Sequence, residues 1–215
     1  MDRNAGVTAS SADEIARIRI ELLDVTPQIW RTIEVPSTAS LRGLHDAIQA
    51  VVPFDNRHLF LFEIGDRRYG IPDREWGDDM RDAKNIRIGA LIDRGVTELT
   101  YTYDFGDDWR FHLTIEEVLP LVEEASYPRL VGGARRGPPE DVGGLPGFEE
   151  FLSAMKDSSH PRHTELSGWY GRAFDPAEID HPEIGVRLAK LVRRREIGKA
   201  SRAKNRNKET TPRVP

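Results

Sequence analysis

Two short blocks hold most of the groups that could do chemistry. Asp104-Phe105-Gly106-Asp107-Asp108-Trp109 sets three carboxylates close together, with His112 just beyond. Carboxylates at such spacing bind Mg or Ca, or share a proton, so Asp104, Asp107 and Asp108 beside His112 offer a metal or acid/base site. The same residues also suit a hairpin turn, and this is the preferred reading, because Asp and Gly favour turns and the flanking segments alternate in polarity. A three-residue loop over Gly106, Asp107 and Asp108 would set Phe105 opposite Trp109 and Tyr103 opposite Phe111. Asp104 would then face Arg110 as a charge pair, and His112 would face Thr102. The second block, Pro138-Pro139-Glu140-Asp141-Val142-Gly143-Gly144, presents Glu140 and Asp141 on a chain stiffened by two prolines. It reads equally as a rigid loop offering carboxylates to a metal or a basic partner, and as an ordered loop covering a sheet. Asp104, Asp107, Asp108, Trp109, His112, Pro138, Glu140 and Asp141 are the candidate functional surface.

Several chemistries are excluded. The chain has no cysteine, which removes disulfides, thiolate metal sites and Cys nucleophiles. No Gly-Lys-Ser/Thr follows the glycines, so there is no phosphate loop. The Asp-Phe-Gly triplet lacks the other kinase signatures. HExxH is absent. His45 falls on the apolar stripe of a helix, His58 starts a strand, and His160 and His163 flank Pro161 without a third ligand. The tryptophans Trp30, Trp76, Trp109 and Trp169 read as core or edge anchors. No cofactor and no resident metal are expected, and the chain leans away from being an enzyme.

Charge is unevenly placed. Of 31 basic and 36 acidic residues, 11 basic and 2 acidic lie from Arg187 onward. An acidic body therefore carries a basic tail. Arg193, Arg194, Arg195, Lys199, Arg202, Lys204, Arg206 and Lys208 could neutralise phosphates and bind nucleic acid without reading sequence. No aromatics interleave with them to stack bases. A solvated tail, or one folded back on the acidic body, is the plainer reading. No apolar run is long enough to span a membrane and the start lacks an apolar leader core, so a cytoplasmic protein is expected.

These groups must be positioned by an α+β framework. Residues 15–24 and 29–35 alternate as a hairpin. A helix follows Ser37, Thr38 and Ser40, each a possible N-cap, with Leu41, Leu44, His45, Ile48, Val51 and Val52 at helical spacing and Pro53 as its stop. Residues 58–64 read as a central strand, with a short strand near Tyr69. Residues 98–105 and 109–118 form the clearest hairpin. Residues 126–147, with six glycines and four prolines, read as a surface loop. A short helix covers 148–155, Asp175-Pro176-Ala177-Glu178 looks like a capping box, and a last helix starts near Pro182. The expectation is a mainly antiparallel sheet of about five strands with an intervening helix and short C-terminal helices. One domain spans 14–197, between a flexible N-terminus (1–13) and a basic disordered tail (198–215).

In order along the chain, IWRTIEVP, LHDAIQ, RHLFLFEI, YTYDFGDDWRFHLTIEEV, YPRLVGGARRGPPEDVGG and FDPAEID resemble the plasmid pRiA4b ORF-3-like family over residues 15–182. The resemblance implies an α+β fold with an antiparallel sheet and no established activity. It also implies association with mobile elements, since members are often labelled TnpR-like passenger proteins or resolvases. Cysteines that many members carry are here Leu130, Gly137 and Val142, so a thiolate site in those relatives has no counterpart. No serine lies among arginines and no tyrosine beside an Arg–His constellation, so recombinase chemistry is not expected. Three functions follow in order: a non-catalytic binding or accessory module with an unknown protein partner; a nucleic-acid accessory protein acting through the tail; and a metal-dependent hydrolase using Asp104, Asp107, His112 and Glu140.

Overall fold

The computed structural model describes residues 13–72 and 80–209. Residues 1–12 of the expected flexible start (1–13), Trp76 and residues 210–215 lie outside the described residues. Eight strands and five helices follow in the order β1(Glu14–Leu22), β2(Trp30–Pro36), α1(Leu41–Val51), β3(Phe60–Ile64), β4(Arg67–Gly70), β5(Met80–Asp82), α2(Ile88–Ile92), β6(Glu98–Tyr103), β7(Trp109–Pro120), β8(Arg129–Ala134), α3(Gly144–Lys156), α4(His163–Tyr170) and α5(His181–Glu209). They form one α+β sheet, ordered β5-β4-β3-β6-β7-β1-β2-β8. Every pairing is antiparallel except the parallel β4–β5 edge.

Alternation decides which sheet face is buried. Ala16, Ile18, Ile20 and Leu22 of β1 enter the core with Tyr101, Tyr103, Trp109, Phe111 and Leu113. α1 lays Leu41, Leu44, Ala47, Ile48 and Val51 into the same core. Its start is set by Ser40, whose Oγ accepts from the Gly43 amide at 3.2 Å.

Between the core-facing residues of β1, Arg17 joins a charge ladder that crosses four strands. Arg17 pairs with Glu34 of β2 at 2.9 Å and with Glu117 of β7 at 2.5 Å, and Arg129 of β8 reaches Glu34 at 2.5 Å. Burial alone would raise the Glu34 pKa, but the two guanidiniums outweigh it and hold the carboxyl below its usual value.

His45 is fully buried and stacks on Phe60 with ring centroids 3.8 Å apart. Its Nδ1 lies 2.8 Å from the Tyr101 hydroxyl and its Nε2 2.8 Å from Asn56 Oδ1. Gln49 Nε2 donates to Tyr101 at 3.1 Å, and Gln49 Oε1 accepts from the Asn56 amide at 2.8 Å. Every partner is satisfied when His45 is neutral with its proton on Nε2. Desolvation lowers its pKa to about 3. This network pins the loop after α1 that leads to His58.

The sheet has eight strands rather than about five. β8 arises inside the segment expected to be a loop. Its glycines permit close approach: a Cβ on Gly133 would lie 2.9 Å from the Trp30 carbonyl oxygen and from Arg31 Cδ. α2 and α4 are also additional, and α3 begins at Gly144 rather than Phe148. Asp175 caps a turn through the Ala177 amide at 2.8 Å, whereas Asp180 accepts from Glu183 N at the start of α5.

The hairpin register also differs: Tyr103 faces Trp109, Tyr101 faces Phe111, Thr102 faces Arg110 and Thr100 faces His112. Asp104 adopts φ +55° and its Oδ1 accepts from the Gly106 amide at 2.9 Å. Asp108 N also reaches the Asp104 carbonyl at 2.7 Å. These bonds draw Asp104 and Phe105 into a longer loop.

Finally, the α5 backbone continues to Glu209, through most of the segment expected to be disordered. That stretch is rich in Ala, Lys and Arg and contains no Pro or Gly after Gly198.

Candidate functional site

The two motif blocks meet. The hairpin tip offers Asp107, whose Oδ2 accepts from the Gly143 amide at 3.1 Å. Gly144 lies against the same residue: at φ +67° a Cβ there would sit 2.7 Å from the Asp107 carbonyl oxygen. Only glycine permits both the dihedral and the approach. The Pro-Pro-Glu-Asp segment is held from its other side by Arg31, which is buried on β2. Its Nε donates to Val51 O at 2.8 Å, Nη1 to Trp30 O at 2.7 Å and Ala134 O at 3.0 Å, and Nη2 to Arg135 O at 2.7 Å. No carboxylate answers this guanidinium among these contacts, and burial lowers its pKa to about 10.

Between these braces three carboxylates converge on His58. Its Nε2 lies 2.8 Å from Asp141 Oδ1 and 3.5 Å from both Asp104 Oδ2 and Glu140 Oε1. Glu140 is fixed by the Tyr103 hydroxyl, which donates to Oε1 at 2.8 Å, and by the Asp55 amide, which donates to Oε2 at 2.5 Å. Tyr103 in turn accepts from the Arg57 amide at 3.0 Å. Its own pKa is far above normal, through burial and the Glu140 contact. Partial burial disfavours a charged His58 ring. The hydrogen bond to Asp141 and the charges of Asp104, Asp141 and Glu140 outweigh this and raise its pKa. One ring proton cannot hydrogen-bond to all three oxygens at once. A cation can contact His58 Nε2 and the Asp104 and Asp141 oxygens together.

The candidate surface therefore divides. Asp104, Glu140 and Asp141 share one point, with the cluster completed by His58. Asp107 braces the loop instead of facing His58. Asp108 is exposed and lies 3.5 Å from Arg110, which also reaches Asp24 at 2.9 Å. Trp109 is core, edge-on to Phe148. Pro138 is buried in the loop. His112 lies in mid-strand between Thr100 and Glu21, not opposite Thr102, and away from the carboxylates with which the metal-hydrolase reading groups it.

Sequence spacing missed His58, Tyr103, Asp55 and Arg57. The available signal was the run Asp55-Asn56-Arg57-His58, polar residues soon after a helix-stopping proline and before a buried strand. Of the basic residues, Arg194 forms an ion pair with Asp46 of α1 and Arg195 donates to Thr38 Oγ1 at 3.0 Å, while Arg193 is exposed. Lys199, Arg202, Lys204, Arg206 and Lys208 lie on the helical backbone of α5. Among the described residues no helix is long and apolar enough to cross a membrane.

Fold and site together define an α+β protein whose eight-stranded, mainly antiparallel sheet carries a His–carboxylate cluster at its loop ends. Residues 14–183 match the model of the plasmid pRiA4b ORF-3-like protein, and the chain belongs to that family. It is 37% identical over 180 residues to the uncharacterized protein y4hQ of Sinorhizobium fredii, covering 83% of this chain and 92% of that one. Its fold is similar to the crystal structure of a protein of unknown function, MM3350, from Methanosarcina mazei Go1. That match has a TM-score of 0.72 and 34% identity, covering 78% of this chain and 96% of the other.

Proposed function

We propose that the chain holds a divalent cation between His58 Nε2, Asp104 Oδ2 and Asp141 Oδ1 and uses it in hydrolysis. The observation that supports this is the convergence of groups from three separate segments on one point. The three ligand atoms lie within 4.8 Å of one another, a span that ligands about 2.4 Å from one ion can cover. One imidazole with two carboxylates suits Mn, Zn or Fe, and three protein ligands leave positions open for water. Such a cation lowers the pKa of bound water. Glu140, held by Tyr103 and the Asp55 amide, is placed to take the proton. This reading departs from the expectation of no metal, and it replaces His112 with His58.

Metal titration of the full-length, chelator-stripped chain by calorimetry tests it. About one equivalent of Mn²⁺ or Zn²⁺ should bind, and Asp104→Asn and Asp141→Asn should each weaken binding at least tenfold. Equal affinity in wild type and both variants would remove the site. The nucleic-acid reading has less support, because Arg194 is already paired with Asp46 of α1 and Arg195 with Thr38 ahead of that helix.

A further inference from the structure

We infer that the cleft beside this cluster takes a phosphoryl group, with its oxygens on Arg136 and Arg172. The inference rests on the metal reading for the other half of the site. The cleft has a volume of about 310 Å³, and Glu140 and Asp141 border both it and the His58 cluster. That size is at the low end for small-molecule sites and suits a phosphorylated small molecule better than a duplex.

Its far end is a guanidinium cluster with loose partners. The Arg136 side chain is only 14% exposed, yet its nearest acceptors, Asp180 Oδ2 and the Tyr170 hydroxyl, are both 3.5 Å away. A charge-assisted hydrogen bond normally spans about 2.7–2.9 Å. Arg136 Nε is buried and has no hydrogen-bond partner among the described residues. Arg172 shares the same Asp180 oxygen, at 3.4 Å, and reaches Glu183 at 3.0 Å. Arg187 also pairs with Glu183, at 2.7 Å. Arg187 reaches Asp55 as well, at 3.0 Å, so three carboxylates face three guanidiniums here, but Arg136 and Arg172 share one Asp180 oxygen at 3.5 and 3.4 Å and keep N–H donors for a further acceptor.

The near end is acidic, with Asp104, Glu140 and Asp141 set against His58 and Arg57. An anion spanning the cleft needs a cation there. A phosphoryl group supplies enough oxygens to reach the metal at one end and two arginine forks at the other. A carboxylate has only two.

Calorimetry with inorganic phosphate tests this on the full chain, in chelator and with saturating Mn²⁺. Wild type should bind phosphate weakly in chelator and at least tenfold tighter with Mn²⁺. Arg136→Met and Arg172→Met should each weaken binding at least tenfold in both conditions. Arg172 is half exposed, so its variant should keep the wild-type circular dichroism. Asp141→Asn should lose only the tightening by Mn²⁺. Phosphate binding that is absent, or unchanged in Arg172→Met, overturns the inference even when Mn²⁺ binds. Arginine-dependent phosphate binding in a chain that takes up no Mn²⁺ supports the arginine end and overturns the metal reading instead.

Discussion

Lowering the pH sets the buried histidine of α1 against the rest of the fold. His45 has a pKa of about 3 in the folded chain and the ordinary value of 6.5 when solvated. A group depressed in the native state binds its proton in the unfolded one. Its contribution is therefore complete above pH 6.5 and is lost as pH falls toward 3. The full loss approaches about 5 kcal/mol, and by pH 5 linkage gives about 2 kcal/mol. Protonation would also put a donor on Nδ1, where the Tyr101 hydroxyl already donates. Other groups titrate over this range. Glu34 loses stability in acid in the same direction, while His58, whose pKa is raised, contributes in the opposite sense. The test is therefore a difference. Urea unfolding of wild type and His45→Gln, followed by circular dichroism at pH 7.5 and 5.0, should show the wild type losing about 2 kcal/mol more than the variant. The variant starts less stable at pH 7.5, because its shorter side chain leaves space beside Phe60. Equal losses in the two proteins would refute the assignment of a neutral, buried His45.

Four further outcomes follow from the same geometry. Arg31→Met leaves buried carbonyls of Trp30, Val51, Ala134 and Arg135 without their donor, and urea unfolding should show a loss of about 2–4 kcal/mol. Gly144→Ala should cost about 1–3 kcal/mol through its dihedral and its contact with Asp107, and should weaken Mn²⁺ binding as the loop lifts. By contrast Gly168→Ala in α4, where a Cβ meets nothing within 4 Å, should be neutral or raise Tm. A proton and a metal compete for His58, whose pKa is raised, so Mn²⁺ affinity should fall about tenfold per pH unit below that pKa. Calorimetry at three pH values reads the slope, and a flat profile would exclude His58 as a ligand.

Local pattern made much of the fold legible. The alternation in β1 and β2, a cap among Ser37, Thr38 and Ser40, and the Pro53 stop each depend on residues a few positions apart. The features that escaped were set elsewhere. The hairpin register moved because Asp104 takes the Gly106 and Asp108 amides, which draws Asp104 and Phe105 out of the ladder. β8 is poor in strand formers and is placed by its pairing with β2. Asp175 and Asp180 both precede plausible helix starts, and the packing of Ile184 and Leu188 into the core selects the second. The carboxylates of the site were visible as letters, but their focus was not. His58 reaches Glu140 and Asp141 across more than eighty residues, through a loop pinned by His45 and Tyr103.

The charge ladder also acts as a ruler for that site. Glu117, Arg17, Glu34 and Arg129 sit in register on four neighbouring strands. A slip of one inner strand would break two of its links at once. β8 has little apolar side chain to fix its position along β2, so the Arg129–Glu34 link marks where that edge begins. The chain then runs from Arg129 through β8 to Arg135, where Arg31 holds it, and on to Glu140. Where the carboxylates arrive beside His58 is thus measured off from a charge pair that stands outside the cleft.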